Sequence, residues 1–342
     1  MKAIRYHEHG GPEVLKYEEV PDPVPGPGEI LLDVKAAAVN HLDIWLRKGI
    51  PTFPIKLPRI PGGDAAGIVR SVSSGVTTMK PGQRVLLNPA TSCGVCEYCG
   101  QGDMSLCLDY RIRGEHEDGV QCELVAVPAT ALVAIPDSLS FETAAAAPLV
   151  FLTSWRMMVT RGQVKAGDWV LIHGVGGGIG TTCLGIARLF GARVIATAST
   201  DEKCAKASKL GADVVVNSSH EDVVKRVREA TAKRGVEIVV DSVGKATWLQ
   251  SLLCAKRGGR IVTCGATTGY DPAEDLRHIF FRQLQILGCT MGNNAEFAAA
   301  MRCLFQGKLT PVIDSVMPLK DAAEAHRRIE ARKAFGKIVL TP

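Results

Sequence analysis

The chain is poor in aromatic residues, and it lacks any block of basic residues or long apolar run. Aromatics make up 5% of the 342 residues, and 40 Lys and Arg against 35 Asp and Glu leave a net charge of only +5. Nucleic-acid binding usually requires a concentrated basic surface, so we expect no such partner. The longest uncharged apolar stretch, residues 143–155, is too short to span a bilayer, so we expect no membrane association either.

The amino terminus lacks the apolar core of a secretory signal, since it reads MKAIRYHEHG. The eleven cysteines are odd in number, and seven of them are scattered singly. Unpaired thiols in this number are typical of a reducing compartment, so we expect a cytoplasmic protein. The length exceeds the size at which one hydrophobic core stops growing, which predicts two domains.

Four of the cysteines lie within fifteen residues, at Cys93, Cys96, Cys99 and Cys107. Four thiolates at such short spacings can enclose one tetrahedral zinc ion and leave no coordination position open. Two disulfides are disfavoured by the expected reducing compartment, and the spacing does not match Cys-x2-Cys-x2-Cys-x3-Cys-Pro of iron–sulfur proteins. We therefore predict one structural zinc per chain.

The pattern of secondary structure changes near residue 141. Before it, short runs rich in Val, Leu and Ile alternate with Gly and Pro, which predicts a β-rich domain. After it, apolar strands alternate with amphipathic helices, among them a predicted helix over residues 248–259 and a last strand over 284–292. This alternation is typical of a parallel sheet covered by helices on both faces, so we predict an α/β fold with a doubly wound sheet.

A glycine-rich turn follows the first strand of this second region and leads directly into a helix. Such a turn lets the backbone approach a pyrophosphate, whose charge the helix amino terminus then stabilises. The pattern is Gly-x-x-Gly-Gly-x-Gly rather than the strict Gly-x-Gly-x-x-Gly. The predicted contacts in this turn are Gly174, Gly176, Gly177, Gly178, Ile179 and Gly180. Gly265 and Gly292, at the ends of the last two strands, complete the predicted cofactor contacts.

The end of the second strand bears on the choice between NADP and NAD. NAD-binding proteins usually place an Asp or Glu there, whereas residues 197–200 read Thr-Ala-Ser-Thr. Ser199 and Lys203 suit a 2′-phosphate, so NADP is favoured and NAD stays possible. Asp201 and Glu202 would repel the phosphate if they pointed inward; alternatively they stabilise the amino terminus of the next helix.

Together these motifs resemble the medium-chain dehydrogenase/reductase superfamily over essentially the whole chain. The matching segments include PGEILLDVKAAAVNHLD, PGGDAAGIV, the four-cysteine lobe, HGVGGGIG and FGKIVL. The resemblance implies a GroES-like catalytic domain over residues 1–140 and 295–342, with a zinc lobe at about 90–112. It also implies a Rossmann domain over 141–294, an active site between the domains, and a homodimer or homotetramer formed through the last Rossmann strand.

The catalytic zinc ligands of the superfamily's alcohol dehydrogenases are missing from the matching positions. Their Cys-His-x-Asp motif reads Asn-His-Leu-Asp at 40–43, their Gly-His-Glu reads Gly-Gly-Asp at 62–64, and the third ligand falls near Phe151. These replacements resemble the metal-independent quinone oxidoreductase branch. An atypical zinc site built from other side chains stays an alternative; its candidate ligands are His41, Asp43, Asp64, Glu115 and His116.

The resemblance places Asn40 and Thr153 beside the nicotinamide, with His41 and Asp43 as further catalytic candidates. Without a Lewis acid, charge developing on a substrate oxygen must be stabilised by hydrogen-bond donors. We therefore predict a reductase that transfers a hydride from NAD(P)H to small enones, enals or quinones, in which that charge is delocalised. A zinc alcohol or aldehyde dehydrogenase and an NADPH-binding protein without turnover are the alternatives.

Overall fold

The computed structural model describes residues 1–50 and 53–342, which divide into two compact units. The first unit contains Met1–Leu149 and Pro311–Pro342, and the second contains Val150–Thr310. The boundaries therefore differ from the expected 140/141 and 294/295. Residues 295–310 belong to the second unit because Glu296 forms a buried ion pair with Arg156 at 3.1 Å there.

The amino-terminal part of the first unit is rich in strands, as its sequence predicts. Its strands are β1 (Lys2–Arg5), β2 (Lys16–Glu19), β3 (Glu29–Ala38), β4 (Asp64–Val72), β5 (Arg84–Leu87), β6 (Ala90–Thr91), β7 (Arg111–Ile112), β8 (Leu124–Pro128) and β9 (Leu132–Ala134). Its α-helices are α1 (His41–Lys48), α2 (Glu97–Gly100) and α3 (Phe141–Ala145). Short 3₁₀ turns lie at Pro12–Val14, Met104–Leu106 and Ala129–Ala131.

The second unit alternates strands and helices. The chain enters it through α4 (Pro148–Trp155) and a π-helical segment, Arg156–Arg161. The strands that follow are β10 (Trp169–Ile172), β11 (Arg193–Ala198), β12 (Val214–Asn217), β13 (Val236–Asp241), β14 (Ala255–Thr263) and β15 (Gln285–Gly288). The helices are α5 (Gly178–Leu189), α6 (Asp201–Lys209), α7 (Val223–Ala230), α8 (Trp248–Cys254), α9 (Arg277–Phe280) and α10 (Asn294–Phe305).

All six strands of the second unit pair in parallel, in the order β12-β11-β10-β13-β14-β15. The central strands β10, β11 and β13 are buried along almost their whole length, because a parallel sheet buries both of its faces. The predicted fold class is thereby confirmed. The order reverses between β10 and β13, and ligands of open α/β sheets bind at the carboxyl ends of the strands at such a point.

Two predicted elements of the second unit are shorter than expected. The helix predicted over 248–259 ends at Cys254, because Ala255 turns extended and the following residues pair with β13 as strand β14. The strand predicted over 284–292 ends at Gly288. Met291, with φ of +48°, has a left-handed backbone that a continuous strand does not allow.

The chain returns to the first unit through β16 (Ile313–Pro318), a 3₁₀ turn (Leu319–Asp321), α11 (Ala322–Glu330) and β17 (Lys337–Thr341). These strands complete a seven-stranded sheet in which β17 runs antiparallel to β3, with Val339 opposite Ala38. Lys337, at the start of β17, therefore lies beside Asn40, just after the end of β3. Across residues 1–50 and 53–342, no helix has both the length and the apolar character needed to cross a membrane.

Candidate functional site

The four clustered cysteines converge in space. Their sulfur atoms all lie within 4.8 Å of one another; Cys93 Sγ is 3.9 Å from that of Cys99 and 3.5 Å from that of Cys107. A tetrahedral zinc ion with 2.3 Å bonds separates its sulfur ligands by about 3.8 Å. The segment holding them lies between β6 and β7, which pair with each other and close the loop. The geometry thus fits the predicted tetrahedral metal site.

The electrostatics of this lobe also favour metal binding. Hydrogen bonds from the backbone amides of Val95 and Cys96 lower the pKa of Cys93 to about 6. The hydroxyl of Ser92 lowers the pKa of Cys99. Metal ions bind the thiolate form of cysteine, so the hydrogen bonds to Cys93 favour the form that a metal binds. The pKa of Cys107 is instead raised by burial, to about 11.

A second polar cluster, formed by Asn40, Asp64 and Lys337, is buried in the first unit. The Lys337 ammonium donates to Asn40 Oδ1 at 2.5 Å and to Asp64 Oδ2 at 3.3 Å. Asn40 Nδ2 donates to the same Asp64 oxygen at 2.9 Å, and the Leu149 amide donates to the other one at 2.9 Å. Lys337 is 4% exposed at its side chain and Asp64 is fully buried, so the pair is shielded from water.

This Asn40–Asp64–Lys337 cluster lies where the resemblance expects catalytic zinc ligands. Asn40 takes the place of the first Cys, and Asp64 takes the place of the Glu next to the His ligand. Gly63 replaces that His, and a β carbon there would meet the Arg113 carbonyl oxygen at 3.3 Å, which is tighter than ordinary contact. An ammonium group, rather than a ligand set open to a metal, therefore neutralises the buried carboxylate.

Asp43 and His41 lie beside this cluster, at the start of α1. Asp43 accepts a hydrogen bond from the Asn40 amide at 2.9 Å, and burial raises its pKa to about 7. His41 packs edge-on against the ring of Trp45, with 5.0 Å between centroids. Burial, followed by repulsion from Lys48, lowers the pKa of His41, so its imidazole is neutral near pH 7.

The other candidate metal ligands do not assemble into a site. His116 accepts a hydrogen bond from the Ile112 amide at 3.1 Å, and burial raises the pKa of its neighbour Glu115. Among the described residues, only the four cysteines bring three or more potential ligand atoms together. The set of His41, Asp43, Asp64, Glu115 and His116 therefore does not converge.

The glycine turn has the geometry expected for phosphate binding. Gly174 has φ of +62°, and a β carbon at Gly180 would lie 2.7 Å from Val175 Cα, so both positions favour glycine. Gly177 caps the twelve-residue α5 without a side-chain hydrogen bond. The first amides of α5, from Gly178, Ile179 and Gly180, are thus available for an anion. Gly176 lies within the same turn, half-buried.

At the end of β11, the acidic residues are engaged elsewhere. Asn217 Nδ2 donates to the Asp201 carboxylate at 2.7 Å, and Glu202 pairs with Lys206 at 2.7 Å. The Thr200 hydroxyl, rather than an acid, caps α6 by accepting from the Lys203 amide. Ser199 is exposed next to this cap. Position 198, at the end of β11, is Ala, so no carboxylate stands there to bind a ribose hydroxyl.

The remaining predicted contacts lie elsewhere in the second unit. Thr153 is buried in α4 and donates to Met291 Sδ at 3.6 Å. Gly265 follows β14, and its carbonyl accepts from the Thr263 hydroxyl. Gly292 is buried, and a β carbon there would meet Leu152 Cδ1 at 2.5 Å, so close side-chain packing requires glycine.

Two residues of the buried cluster lie outside the set predicted as catalytic: Asp64 and Lys337. The sequence predicted Asp64 only as a possible metal ligand, and it included Lys337 only within the matching segment FGKIVL. The signal for Lys337 is a single lysine at the start of an otherwise apolar strand, KIVLT. Such a lysine needs a buried anion as partner.

Comparisons with known proteins agree with this fold. The zinc-binding dehydrogenase family matches residues 178–306, and the alcohol dehydrogenase GroES-like domain matches residues 26–137. A 2-haloacrylate reductase from Burkholderia is 34% identical over 100% of this chain and 99% of its own length. The quinone oxidoreductase of Homo sapiens is 29% identical over 99% of this chain and 97% of its own. The crystal structure of an NAD-dependent alcohol dehydrogenase is 45% identical, with a TM-score of 0.95 and complete coverage of both chains.

The fold and the glycine turn define an oxidoreductase with a dinucleotide-binding unit. The chain belongs to the medium-chain dehydrogenase/reductase superfamily, and the resemblance stated from its sequence is confirmed.

Proposed function

We propose that this protein is an NAD(P)H-dependent reductase of activated C=C bonds or quinones that carries a structural zinc and no catalytic zinc. The observation that supports this most is the Asn40–Asp64–Lys337 cluster, in which an ammonium neutralises the carboxylate at the place expected for metal ligands. The names of the 2-haloacrylate reductase and the quinone oxidoreductase point to the same substrate class.

The cluster fixes the orientation of the Asn40 amide. Its oxygen accepts from Lys337 and one N–H donates to Asp64, which leaves the second N–H as a donor of set direction. The ammonium polarises this amide through its oxygen, which strengthens the remaining donor. The Asn40 amide would then stabilise the charge that develops on a substrate oxygen, the role a metal plays in the zinc enzymes.

The glycine turn and the end of β11 would hold the dinucleotide. The amides of Gly178, Ile179 and Gly180 would bind the pyrophosphate, while Ser199 and Lys203 would bind the 2′-phosphate of NADP. The bound reduced nicotinamide supplies the hydride. The thiolates of Cys93, Cys96, Cys99 and Cys107 would hold the structural zinc, which stabilises the lobe and leaves no position for substrate.

The exposed edge of the second unit is consistent with the proposed homo-oligomer. β15 is the last strand of its sheet, and Ile286 on it is 38% exposed. Phe280 and Phe281, just before it, are 59% and 65% exposed. Pairing of two β15 strands would satisfy the free edge and cover these rings. Light scattering of the purified protein would show a dimer or a tetramer if this edge pairs.

Elemental analysis and a substrate panel test the proposal together. We expect one zinc per chain, with turnover of enones, enals or quinones and none of simple alcohols. Two zinc ions per chain with alcohol oxidation would establish the alternative of a zinc alcohol dehydrogenase; the 45% identical structure is that of an NAD-dependent alcohol dehydrogenase. Tight NADPH binding without turnover of any substrate would establish the binding-protein alternative.

Substitution of Asn40 tests the amide donor. Asn40→Ala should lower kcat about 10²- to 10³-fold, the usual effect of losing one such donor, with a smaller change in KM. Asp33→Ala, at a half-buried position of β3 that pairs with Lys35, is the control. Equal kcat in both variants would remove Asn40 from the reaction.

A further inference from the structure

The second unit contains a strongly basic cavity at the amino-terminal ends of β13 and β14. Its volume is about 570 Å³, and six of its nine lining residues are cationic. These six are Arg228, Lys233, Arg234, Lys256, Arg257 and Arg282. The glycine turn follows the carboxyl end of β10, and all strands of the sheet are parallel. The cavity therefore lies at the opposite edge of the sheet and does not belong to the dinucleotide site.

Only part of this positive charge is compensated. Glu237 pairs with Arg234 at 2.7 Å and with Lys256 at 3.0 Å, and no lining residue is acidic. The carboxyl ends of α7 and α8 point toward this edge, and each contributes at most about half a negative charge. Glu237 and the two helix ends together supply about two negative charges. Six cations line the cavity, so an excess of about four positive charges remains.

Arg282 shows the same imbalance at the level of one side chain. Its guanidinium donates to the His278 and Ala255 carbonyls at 3.2 and 3.3 Å, whereas its Nη2 is buried without a hydrogen-bond partner among the described residues. Burial, followed by repulsion from Arg228 and Arg257, lowers its pKa. A bound anion would offset the repulsion that Arg228 and Arg257 exert on Arg282.

The chemistry of the lining identifies the anion. Planar guanidinium groups match the oxygens of phosphate, and several of them together favour a ligand with more than one phosphate. The volume lies within the range of small-molecule sites, and only Leu253, Ala255 and Gly235 interrupt the polar lining. We propose that this cavity binds a small molecule that carries a chain of two or more phosphates.

Titration calorimetry with inorganic tripolyphosphate tests this site directly. The intact protein is titrated at constant ionic strength, with and without saturating dinucleotide, and orthophosphate serves as the weaker probe. We expect one tripolyphosphate per chain, bound at least tenfold more tightly than orthophosphate and equally in the presence of dinucleotide. Competition with dinucleotide would assign the binding to the glycine turn and overturn the proposal.

Two triple variants of equal charge separate the cavity from general surface attraction. Arg228→Gln/Lys233→Gln/Arg257→Gln removes exposed cations of the cavity and should weaken tripolyphosphate binding at least tenfold. Lys165→Gln/Lys209→Gln/Lys225→Gln removes three exposed cations elsewhere in the same unit and should change it less than twofold. Equal weakening in both variants would refute a defined site. A change of oligomeric mass in the first variant would show instead that the cations pair with a second copy of the chain.

Discussion

The first unit contains two polar centres that bring anionic or potentially anionic groups together, and the two centres suit different kinds of cation. In the lobe, four thiols face one another at distances that suit a tetrahedral metal. In the Asn40–Asp64–Lys337 cluster, a lysine ammonium occupies the place of a cation and is fixed by the fold itself. A bound metal can be lost or exchanged, whereas a lysine cannot. The comparison distinguishes a centre whose geometry suits a bound ion from one whose cation is part of the chain.

The lobe should respond most strongly to loss of one ligand. Cys107→Ser should reduce zinc from one per chain to nearly none and lower the free energy of unfolding by roughly 5 kcal/mol or more, because metal binding contributes directly to folding. Elemental analysis and urea unfolding measure the two effects. Cys303→Ser, at an isolated half-buried cysteine, should retain zinc and stability. Retention of zinc by Cys107→Ser would remove Cys107 from the site.

The buried cluster should lose stability without any change in zinc content. Lys337→Met leaves the Asp64 carboxylate unpaired and should cost about 3–5 kcal/mol, the usual effect of breaking a buried ion pair. Asp64→Asn/Lys337→Met removes both charges and should regain most of that loss. Urea unfolding measures both variants, with Lys333→Met as the exposed control. A double variant as unstable as the single one would show that Lys337 acts through packing rather than charge.

The pH dependence of stability should report the burial of Asp43 in the same region. Its folded pKa of about 7 lies above the unfolded value near 4, so the folded state binds the additional proton. The contribution of Asp43 to stability is therefore greatest below about pH 4 and falls by at most about 4 kcal/mol as the pH rises to about 7.

Urea unfolding of Asp43→Asn across this range measures the effect. In Asp43→Asn the free energy of unfolding should no longer show this decrease with pH. In Asp271→Asn, at an exposed ion pair, the decrease should remain. An unchanged slope in Asp43→Asn would assign the pH dependence to other groups.

The smallest expected effect concerns the second unit, where we expect the charge of Lys203 to favour NADPH over NADH. Lys203→Gln should weaken NADPH binding about fivefold, or about 1 kcal/mol for a partly exposed pair, and leave NADH binding unchanged. Fluorescence titration with both cofactors measures this. Lys209→Gln, near the other end of α6, is the control. Equal weakening of both cofactors would contradict a 2′-phosphate contact and favour NAD.

The comparison of the two centres also explains what the sequence could predict. The cysteines lie within fifteen residues and the glycine turn within seven, so local spacing alone indicated both. The Asn40–Lys337 contact joins residues 297 positions apart and depends on the antiparallel pairing of β17 with β3. Sequence patterns do not specify such a register, so the lysine could not be assigned its partner in advance.

Some predicted ends of helices and strands were wrong for a related reason. The segment AKRGG after Cys254 was included in the predicted helix, yet it forms the start of β14, because pairing with β13 outweighs local preference. Strands β3, β4, β5 and β8 were predictable from their runs of Val, Leu and Ile, and in most of β3 buried and half-buried residues alternate as the residue pattern does.

The contribution of β17 to the first unit has a consequence for the order of synthesis. Asp64 precedes the whole second unit in the chain, and Lys337 follows it. During translation the second unit can fold as soon as it leaves the ribosome, since domains generally fold as units. The carboxylate of Asp64 therefore gains its lysine only after the second unit has been synthesised.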